Sequence, residues 1–228
     1  MAVKAVSNPV MDTTPAAPAI TRSLFVFSIF YGGMVCIAGV LGNKQVALGP
    51  LAVEAGIFAF LLLVVVSSAV AELHGRATAN RLVRIGFLPL IASLLLSLTV
   101  LALPASSSME PSRAAAFELM ISSTPRIWMA GIVAYGVSQT LNVTIFSALR
   151  REGGKLLWLR SAIAGVLSQI VDTLLFIGIA FYGVFPIGEL LVGQMLAKVI
   201  LSAFLVPPLI YLVVAIGRRL DHTPPRSS

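Results

Sequence analysis

The sequence predicts an all-α, multi-pass membrane protein: a bundle of six transmembrane helices with both termini in the cytoplasm. Of its 228 residues, 58% are hydrophobic and only 11% are charged, whereas about a quarter of the residues in a soluble domain are charged. Apolar runs of about 20 residues, long enough to cross a bilayer, recur along the chain. Most basic residues lie between these runs, which is typical of membrane proteins with a defined orientation.

The order of the elements follows from the apolar runs. We expect residues 1–22, rich in Ala, Pro and Thr, to form a disordered cytoplasmic tail and not a signal peptide, because the next run is too long for a signal sequence. Residues 23–220 form the six-helix membrane domain, and residues 221–228 form a second cytoplasmic tail. The predicted spans are Ser23–Leu41, Val53–Leu73, Leu82–Leu103, Pro125–Leu149, Leu156–Val184 and Gly188–Ile216.

The distribution of basic residues predicts the orientation. Most of the 16 lysines and arginines fall on the side of the two termini. These are Lys4, Arg22, Arg76, Arg81, Arg84, Arg150, Arg151, Lys155, Arg160, Arg218, Arg219 and Arg226. Only Lys44, Arg113 and Arg126 lie on the opposite side. The positive-inside rule therefore places both termini in the cytoplasm, and the net charge of +7 indicates membrane orientation and not nucleic-acid binding.

One acid and one base lie near the middle of apolar spans. Asp172 is in the fifth span, one turn after Gln169, and Lys198 is in the sixth. An ionisable group at this depth costs at least a few kcal/mol, so it normally faces the protein interior and has a partner. We expect Asp172 and Lys198 to pair. A purely structural pair that locks two helices together is the alternative to a functional site.

Polar and aromatic residues recur at helical spacing in the last three spans. The three faces comprise Tyr135, Gln139, Asn142 and Phe146; Gln169, Asp172 and Phe176; and Gln194, Lys198 and Ser202. At 1.5 Å per residue, Gln139, Asp172 and Lys198 lie at a similar depth. A single amide is explained by an interhelical hydrogen bond, but three faces at one depth predict a substrate-binding pocket.

Four residues near the ends of spans are candidates for gating or structural roles: Glu72, Gly75, Arg160 and Lys44. Glu72 suits an interfacial salt bridge to Arg76 or to the arginines at 150 and 151, and Gly75 suits a helix C-cap. Lys44 either lines an outer entrance or extends to the interface. The connection around Lys44 predicts a turn or hairpin, and residues 113–120 predict an outer helix or lid, or a plain linker.

No catalytic, metal or cofactor site is predicted. No histidine lies in a span to act as a base, no HExxH motif occurs, and the GxxxxGK[ST] phosphate loop is missing from the sequence. The single cysteine and two histidines give no metal-ligand spacing. The sequence therefore favours neither an intramembrane enzyme nor an ATPase, and a scaffold would not require charged and amide side chains at mid-depth.

The clearest sequence pattern is in the fifth span, where Arg160-Ser161, Ser168-Gln169 and Asp172-Thr173-Leu174-Leu175-Phe176 follow in order. Three other spans contribute to the same overall pattern. Its residues are Lys198 and Pro208-Leu209-Ile210-Tyr211 in the sixth span, Gln139, Phe146, Leu149 and Arg150 in the fourth, and Glu72, Gly75, Ala79 and Arg81 in the second. Over residues 23–220, the chain resembles the queuosine-precursor transporters of the vitamin uptake transporter (VUT) family.

The resemblance implies uptake of 7-cyano-7-deazaguanine, or a related 7-deazaguanine base such as its aminomethyl relative, across the bacterial inner membrane. The chain departs from the family at two acidic positions: Ser67-Ser68 stand where an acid usually follows Thr, and Asn142 replaces a frequent Asp. His74 and Ala164 also replace a common Tyr and Ser. The alternative within transport is the substrate-binding subunit of an ATPase-driven vitamin importer, and the sequence leaves open an ATPase module or a homo-oligomer.

Overall fold

The computed structural model describes residues 20–42, 44–49, 51–122, 125–150, 156–184 and 187–222, and all structural statements below refer to these residues. The predicted tails, apart from residues 20–22 and 221–222, lie outside this part of the chain. The elements are α1 (Arg22–Leu41), β1 (Gln45–Leu48), β2 (Leu51–Glu54), α2 (Gly56–Ala102), α3 (Pro111–Ile121), α4 (Pro125–Ala148), α5 (Leu157–Phe181), α6 (Gly188–Phe204) and α7 (Val206–His222).

Four of the helices in the described ranges are long and apolar enough to cross a membrane, and the number becomes five when α6 and α7 are taken as one bent span. The four are α1, α2, α5 and residues Arg126–Ala148 of α4. The predicted helical, multi-pass membrane architecture is therefore confirmed in this coarser form.

Helix α2 has 47 residues and contains Gly75 at φ 84° and ψ 163°. A straight helix of this length would extend about 70 Å, more than twice the roughly 30 Å of a hydrocarbon core. Gly75 divides it into residues 56–74 (α2a) and 76–102 (α2b). A residue with a Cβ rarely adopts this backbone conformation, so glycine is the residue that permits the break.

Contacts with α1 show that the chain reverses direction at Gly75. The start of α2a at Gly56 lies against the carbonyl of Ala38 near the end of α1, while the end of α2a places His74 Nε2 2.7 Å from the hydroxyl oxygen of Ser23 at the start of α1. Segment α2a is therefore antiparallel to α1.

Segment α2b runs the other way. Gly86 lies against the ring of Tyr31 and Pro89 against Gly32, and the hydroxyl of Ser93 donates to the sulfur of Cys36 at 3.2 Å. Position along α2b thus rises with position along α1. Segments α2a and α2b form an antiparallel pair, which is the arrangement that the two predicted spans 53–73 and 82–103 require.

Gly75→Ala is expected to lower the stability of the protein by about 1–3 kcal/mol, the usual cost of a residue held in a disfavoured backbone region. The measurement is the melting temperature of the purified protein in detergent, together with its level in membranes. Gly178→Ala in α5 is the matched control, because a Cβ there meets no atom within 4 Å and alanine favours a helix. Equal stability of the two variants would contradict this account of the reversal.

The sixth predicted span, Gly188–Ile216, is divided in the structure into α6 and α7, with a bend of 45° between them. Pro207 and Pro208 occupy the first turn of α7. Proline lacks a backbone N–H and its ring clashes with the preceding turn, so a helix breaks before it.

The connection between α1 and α2 is the predicted hairpin, with β1 and β2 antiparallel and Gln45 opposite Glu54. Gly49 in its turn has φ +60°. The second predicted span begins too early, since Val53 and Glu54 belong to β2. Residues 111–121 form α3, an exposed helix, so the helical alternative for the long connection is confirmed.

The core is centred on α2a. Its residues from Leu63 to Ala71 are buried, and it packs with α1, α4 and α7, while α5 packs with α4 and α6. A helix that is apolar and buried on all sides occupies the centre of a bundle. Helices α1, α4 and α7 therefore surround α2a in the bundle.

Candidate functional site

A cavity of about 270 Å³ lies between α1, β2, α2, α4, α5 and α6. Its aromatic lining residues are Phe60, Trp128, Tyr135, Phe176 and Phe181, and its charged ones are Glu54, Asp172 and Lys198. The volume is just below the lower end of the range of roughly 300–1,000 Å³ for small-molecule sites. A mostly apolar wall with a few charged groups is the usual composition of such a site.

Asp172 and Lys198 form the predicted ion pair, with Lys198 Nζ 2.9 Å from Asp172 Oδ2. The hydroxyl of Ser138 donates to Asp172 Oδ1 at 3.0 Å. Asp172 is 3% exposed and Lys198 6%. Sequence reasoning missed Ser138, which lies one position before Gln139 and so points toward α5 and not α2a.

The Asp172 carboxylate retains capacity to bind a ligand. A carboxylate has about four lone-pair positions, and the protein donors to Asp172 in the described residues are Lys198 and Ser138. Burial makes such a pair costly unless its geometry is good, and here both carboxylate oxygens accept hydrogen bonds. Acceptor positions of the Asp172 carboxylate therefore remain open at the cavity wall.

Glu54 is a third charged group on the same cavity, and sequence reasoning did not select it. Because α2 begins at Gly56, Glu54 lies in the hairpin, outside the membrane-spanning helices. Burial raises the pKa of the Glu54 carboxyl, the charge of Lys198 lowers it, and the charge of Asp172 raises it, so that the pKa is raised overall. Its position directly before an apolar run was the available sequence signal.

Tyr135 and Phe176 supply flat surfaces at the cavity. The Tyr135 hydroxyl donates to the carbonyl of Val83 at 3.0 Å and lies 3.1 Å from the Tyr31 hydroxyl. Gly86 makes this contact possible, since a Cβ there would lie 2.1 Å from the Tyr135 hydroxyl oxygen. Tyr135 is thereby held in place, and Phe176 packs edge to face with Phe181, with ring centroids 6.0 Å apart.

The predicted amides of α4 face α2a and are not part of the cavity lining. Ser67 donates to Gln139 Oε1 at 3.3 Å. Asn142 Nδ2 donates to the hydroxyls of Ser67 and Ser68 at 3.1 and 3.0 Å. The two positions where the chain departs from the family's acids are therefore in direct contact, and neutral amide–hydroxyl bonds join them.

Gln169 and Gln194 are buried in α5 and α6, also outside the cavity lining. Within the described ranges, Gln169 Oε1, Asn142 Oδ1 and Ser202 Oγ are buried without a protein hydrogen-bond partner. Most buried polar atoms have such a partner. These atoms lie on the three helices that carry the predicted polar faces.

Arg160 and Glu72 join α5 to the end of α2a. Arg160 Nη2 lies 2.7 Å from Glu72 Oε2, Arg160 Nε donates to the carbonyl of Phe146 at 3.3 Å, and the guanidinium carbon lies 4.3 Å from the Phe146 ring centroid. The expected pairing of Glu72 with Arg76 or Arg150 is wrong; Arg151 lies outside the described residues. Arg160 is only 3% exposed, because it belongs to α5 and not to the preceding loop.

Lys44 is exposed in the hairpin region and is not among the residues that line the cavity. No group of three or more His, Cys, Asp or Glu side chains within the described ranges could hold a metal ion. The chemistry of the site thus depends on one ion pair, one additional carboxylate and aromatic rings.

Comparison with known proteins shows the family to which the chain belongs. Residues 54–213 match the family model described as "Putative vitamin uptake transporter" (Vut_1), which covers more than half of the chain. The chain belongs to the vitamin uptake transporter family. It is therefore placed among transporters and not enzymes.

Two relatives are similar over parts of the chain. The "Probable queuosine precursor transporter" of Bacillus subtilis (strain 168) is 36% identical over 118 residues, 50% of this chain and 50% of the relative. The "Queuosine precursor transporter" of Escherichia coli (strain K12) is 26% identical over 162 residues, 71% of this chain and 70% of the relative. The matched region thus spans about half the length of the first relative. No solved structure matches the chain.

Proposed function

We propose that the chain imports a purine-like base, a 7-deazaguanine precursor of queuosine such as the 7-cyano or 7-aminomethyl compound, across the bacterial inner (plasma) membrane. The observation that carries the proposal is the Asp172 carboxylate, which lies on an aromatic cavity with acceptor positions left open. The names of the two similar proteins support the same substrate class.

The chemistry of the ligand matches this site. A guanine-like edge presents the N1–H and the 2-amino group as adjacent donors, and one carboxylate accepts both. Lys198 lies beside this carboxylate, with its Nζ 2.9 Å from Asp172 Oδ2, and so offsets the cost of burying an acid at the cavity wall. Phe176 and Tyr135, both on the cavity wall, provide faces for stacking on the planar ring.

We further propose six membrane crossings. Segment α2a would extend about 28 Å and α2b about 40 Å, so the first nearly matches and the second exceeds a core of roughly 30 Å, and both reach the minimum of about 17 residues for a spanning helix. Together with α1, α4, α5 and the bent pair α6–α7, they give the six. The basic residues 76, 81 and 84 follow Gly75, so the positive-inside rule places the reversal on the cytoplasmic side.

In this orientation, the cavity is in the outer half of the membrane. It is lined by the end of α1, the starts of α2 and α4 and the end of α5, all remote from Gly75. The Glu72–Arg160 pair lies on the inner side, and the unpartnered atoms of Gln169, Asn142 and Ser202 belong to the same buried interior. We propose that the pair closes the inner side, and that Gln139, Asn142, Gln169 and Gln194 contact the base when that side opens.

Reporter fusions test the orientation. Fusions at Ser228 and near Ser107 are expected to report opposite compartments, with Ser228 in the cytoplasm, because an odd number of crossings separates the α2–α3 connection from the C-terminus. A fusion near Arg81 is the control and is expected to match Ser228. The same compartment for Ser228 and Ser107 would refute the six-crossing arrangement.

Uptake in cells tests the substrate. Cells that make neither precursor, and that lack their own importer, are given each base with or without this chain. We expect queuosine in tRNA only when the chain and a base are both present. Guanine and adenine serve as control bases. Rescue that is independent of the chain, or the lack of rescue by either precursor despite normal membrane levels, would refute the proposal.

A further inference from the structure

Glu54 is held at the cavity wall by a rigid element. Its backbone lies opposite Gln45 in the two-stranded ladder, the N–H of the next residue, Ala55, donates to the carbonyl of Lys44 at 2.8 Å, and β2 packs against α6. On the C-terminal side of Glu54, helix α2 begins at Gly56. The hairpin and the helix thus hold Glu54 at the wall of the cavity.

The charges on the cavity are unequal. Two carboxylates, Glu54 and Asp172, and one ammonium, Lys198, line it. Lys198 is 2.9 Å from Asp172, whereas the ion pairs formed within the described ranges leave out Glu54. When both acids are ionised, the cavity thus carries one more negative charge than positive charge. Glu54 is the carboxylate of the cavity that has no cationic partner among the described residues.

We propose that Glu54 binds a cationic group of the substrate, so that the site prefers a deazaguanine-type base with a protonated primary amine over the neutral nitrile-bearing base. This inference rests on the proposed function, in which Asp172 binds the guanine-like edge. Glu54 then acts as a specificity-determining residue for the substituent that distinguishes the two bases.

The physical basis is the partly desolvated state of Glu54. An ammonium at a carboxylate forms a hydrogen bond in which both partners are ionised, whereas in a bond from water only the acceptor is ionised. A nitrile has no proton to donate and leaves the carboxylate unpaired. Sites that leave a buried polar group unpaired discriminate strongly against the wrong ligand. Protonation of Glu54 would remove this preference, and because burial raises the pKa of this carboxyl, the loss would begin at a higher pH than for an exposed glutamate.

The test compares uptake of the aminomethyl and cyano bases by cells that express wild-type protein, Glu54→Gln or Glu54→Asp. We expect Glu54→Gln to lower the initial rate for the aminomethyl base at least tenfold and to leave the rate for the cyano base within twofold. Glu54→Asp keeps the charge and is expected to keep the preference. Glu118→Gln removes an exposed carboxylate on α3 and is the matched control. Membrane levels are measured by immunoblot.

A ligand-side comparison needs no variant. Wild-type protein is expected to take up the aminomethyl base with at least tenfold higher apparent affinity than its N-acetylated, neutral derivative and the cyano base. Equal loss of both bases in Glu54→Gln, or no wild-type preference, would overturn the role of Glu54; the first result would favour a shared role such as proton coupling. Wild-type uptake of neither base would instead refute the proposed function.

Discussion

Asp172→Asn is expected to lower uptake at least a hundredfold while the protein remains folded in the membrane. The substitution keeps the size of the side chain but replaces one acceptor oxygen with a donor nitrogen. Hydrogen bonds to charged groups contribute about 1.5–3 kcal/mol each, and each 1.4 kcal/mol is a factor of ten in affinity. Loss of one such bond to the base, together with loss of the charge that strengthens the other, therefore accounts for an effect of this size.

The Lys198 variants separate a ligand role from a structural role. Lys198→Ala leaves Asp172 buried beside Ser138 without its cation, and breaking a buried pair costs about 3–5 kcal/mol. The double variant Asp172→Asn with Lys198→Met removes both charges and is expected to restore the membrane level. If Asp172 binds the base, transport does not recover.

The measurements are initial uptake rate, membrane level and melting temperature in detergent. Ser168→Ala is a control in the same helix, because the Ser168 hydroxyl donates only to the backbone carbonyl of Gly165, at 2.9 Å. It is expected to transport within a fewfold of wild type. Recovery of transport in the double variant would show that the Asp172–Lys198 pair only joins α5 to α6.

Glu72→Leu is expected to destabilise the protein by about 3–5 kcal/mol, since it leaves the buried guanidinium of Arg160 without its carboxylate. The double variant Glu72→Leu with Arg160→Leu is expected to regain most of that stability, because replacing a buried ion pair by apolar residues is often neutral or better. Stability is measured by thermal unfolding in detergent.

Transport distinguishes closure of the inner side from simple packing. If the Glu72–Arg160 pair closes the inner side, the double variant folds but transports poorly. Arg76→Leu is the control: Arg76 is exposed and its Nη2 donates to Thr144 at 3.3 Å, so we expect a change within about 0.5 kcal/mol. Normal transport by the double variant would assign the pair to stability alone.

Local patterns in the sequence determined several features of this protein. Long apolar runs predicted helices that suit a bilayer, because backbone groups in lipid must be satisfied within the helix. Helical spacing predicted that Tyr135, Gln139, Asn142 and Phe146 share one buried face of α4, and all four are buried. The Asp172–Lys198 pair was predicted because an isolated charge in the middle of the bilayer is costly, and these are the two charged residues near the middle of the predicted spans.

Only the tertiary structure decided which residues share a cavity. Glu72 and Arg160 are 88 positions apart, and their pairing depends on how α5 packs beside α2a. Glu54 belongs to the site because the hairpin packs on α6, whereas Gln139 and Asn142 bond to Ser67 and face α2a. A helical repeat fixes which residues share a face, but rotation and contact between helices fix what that face meets.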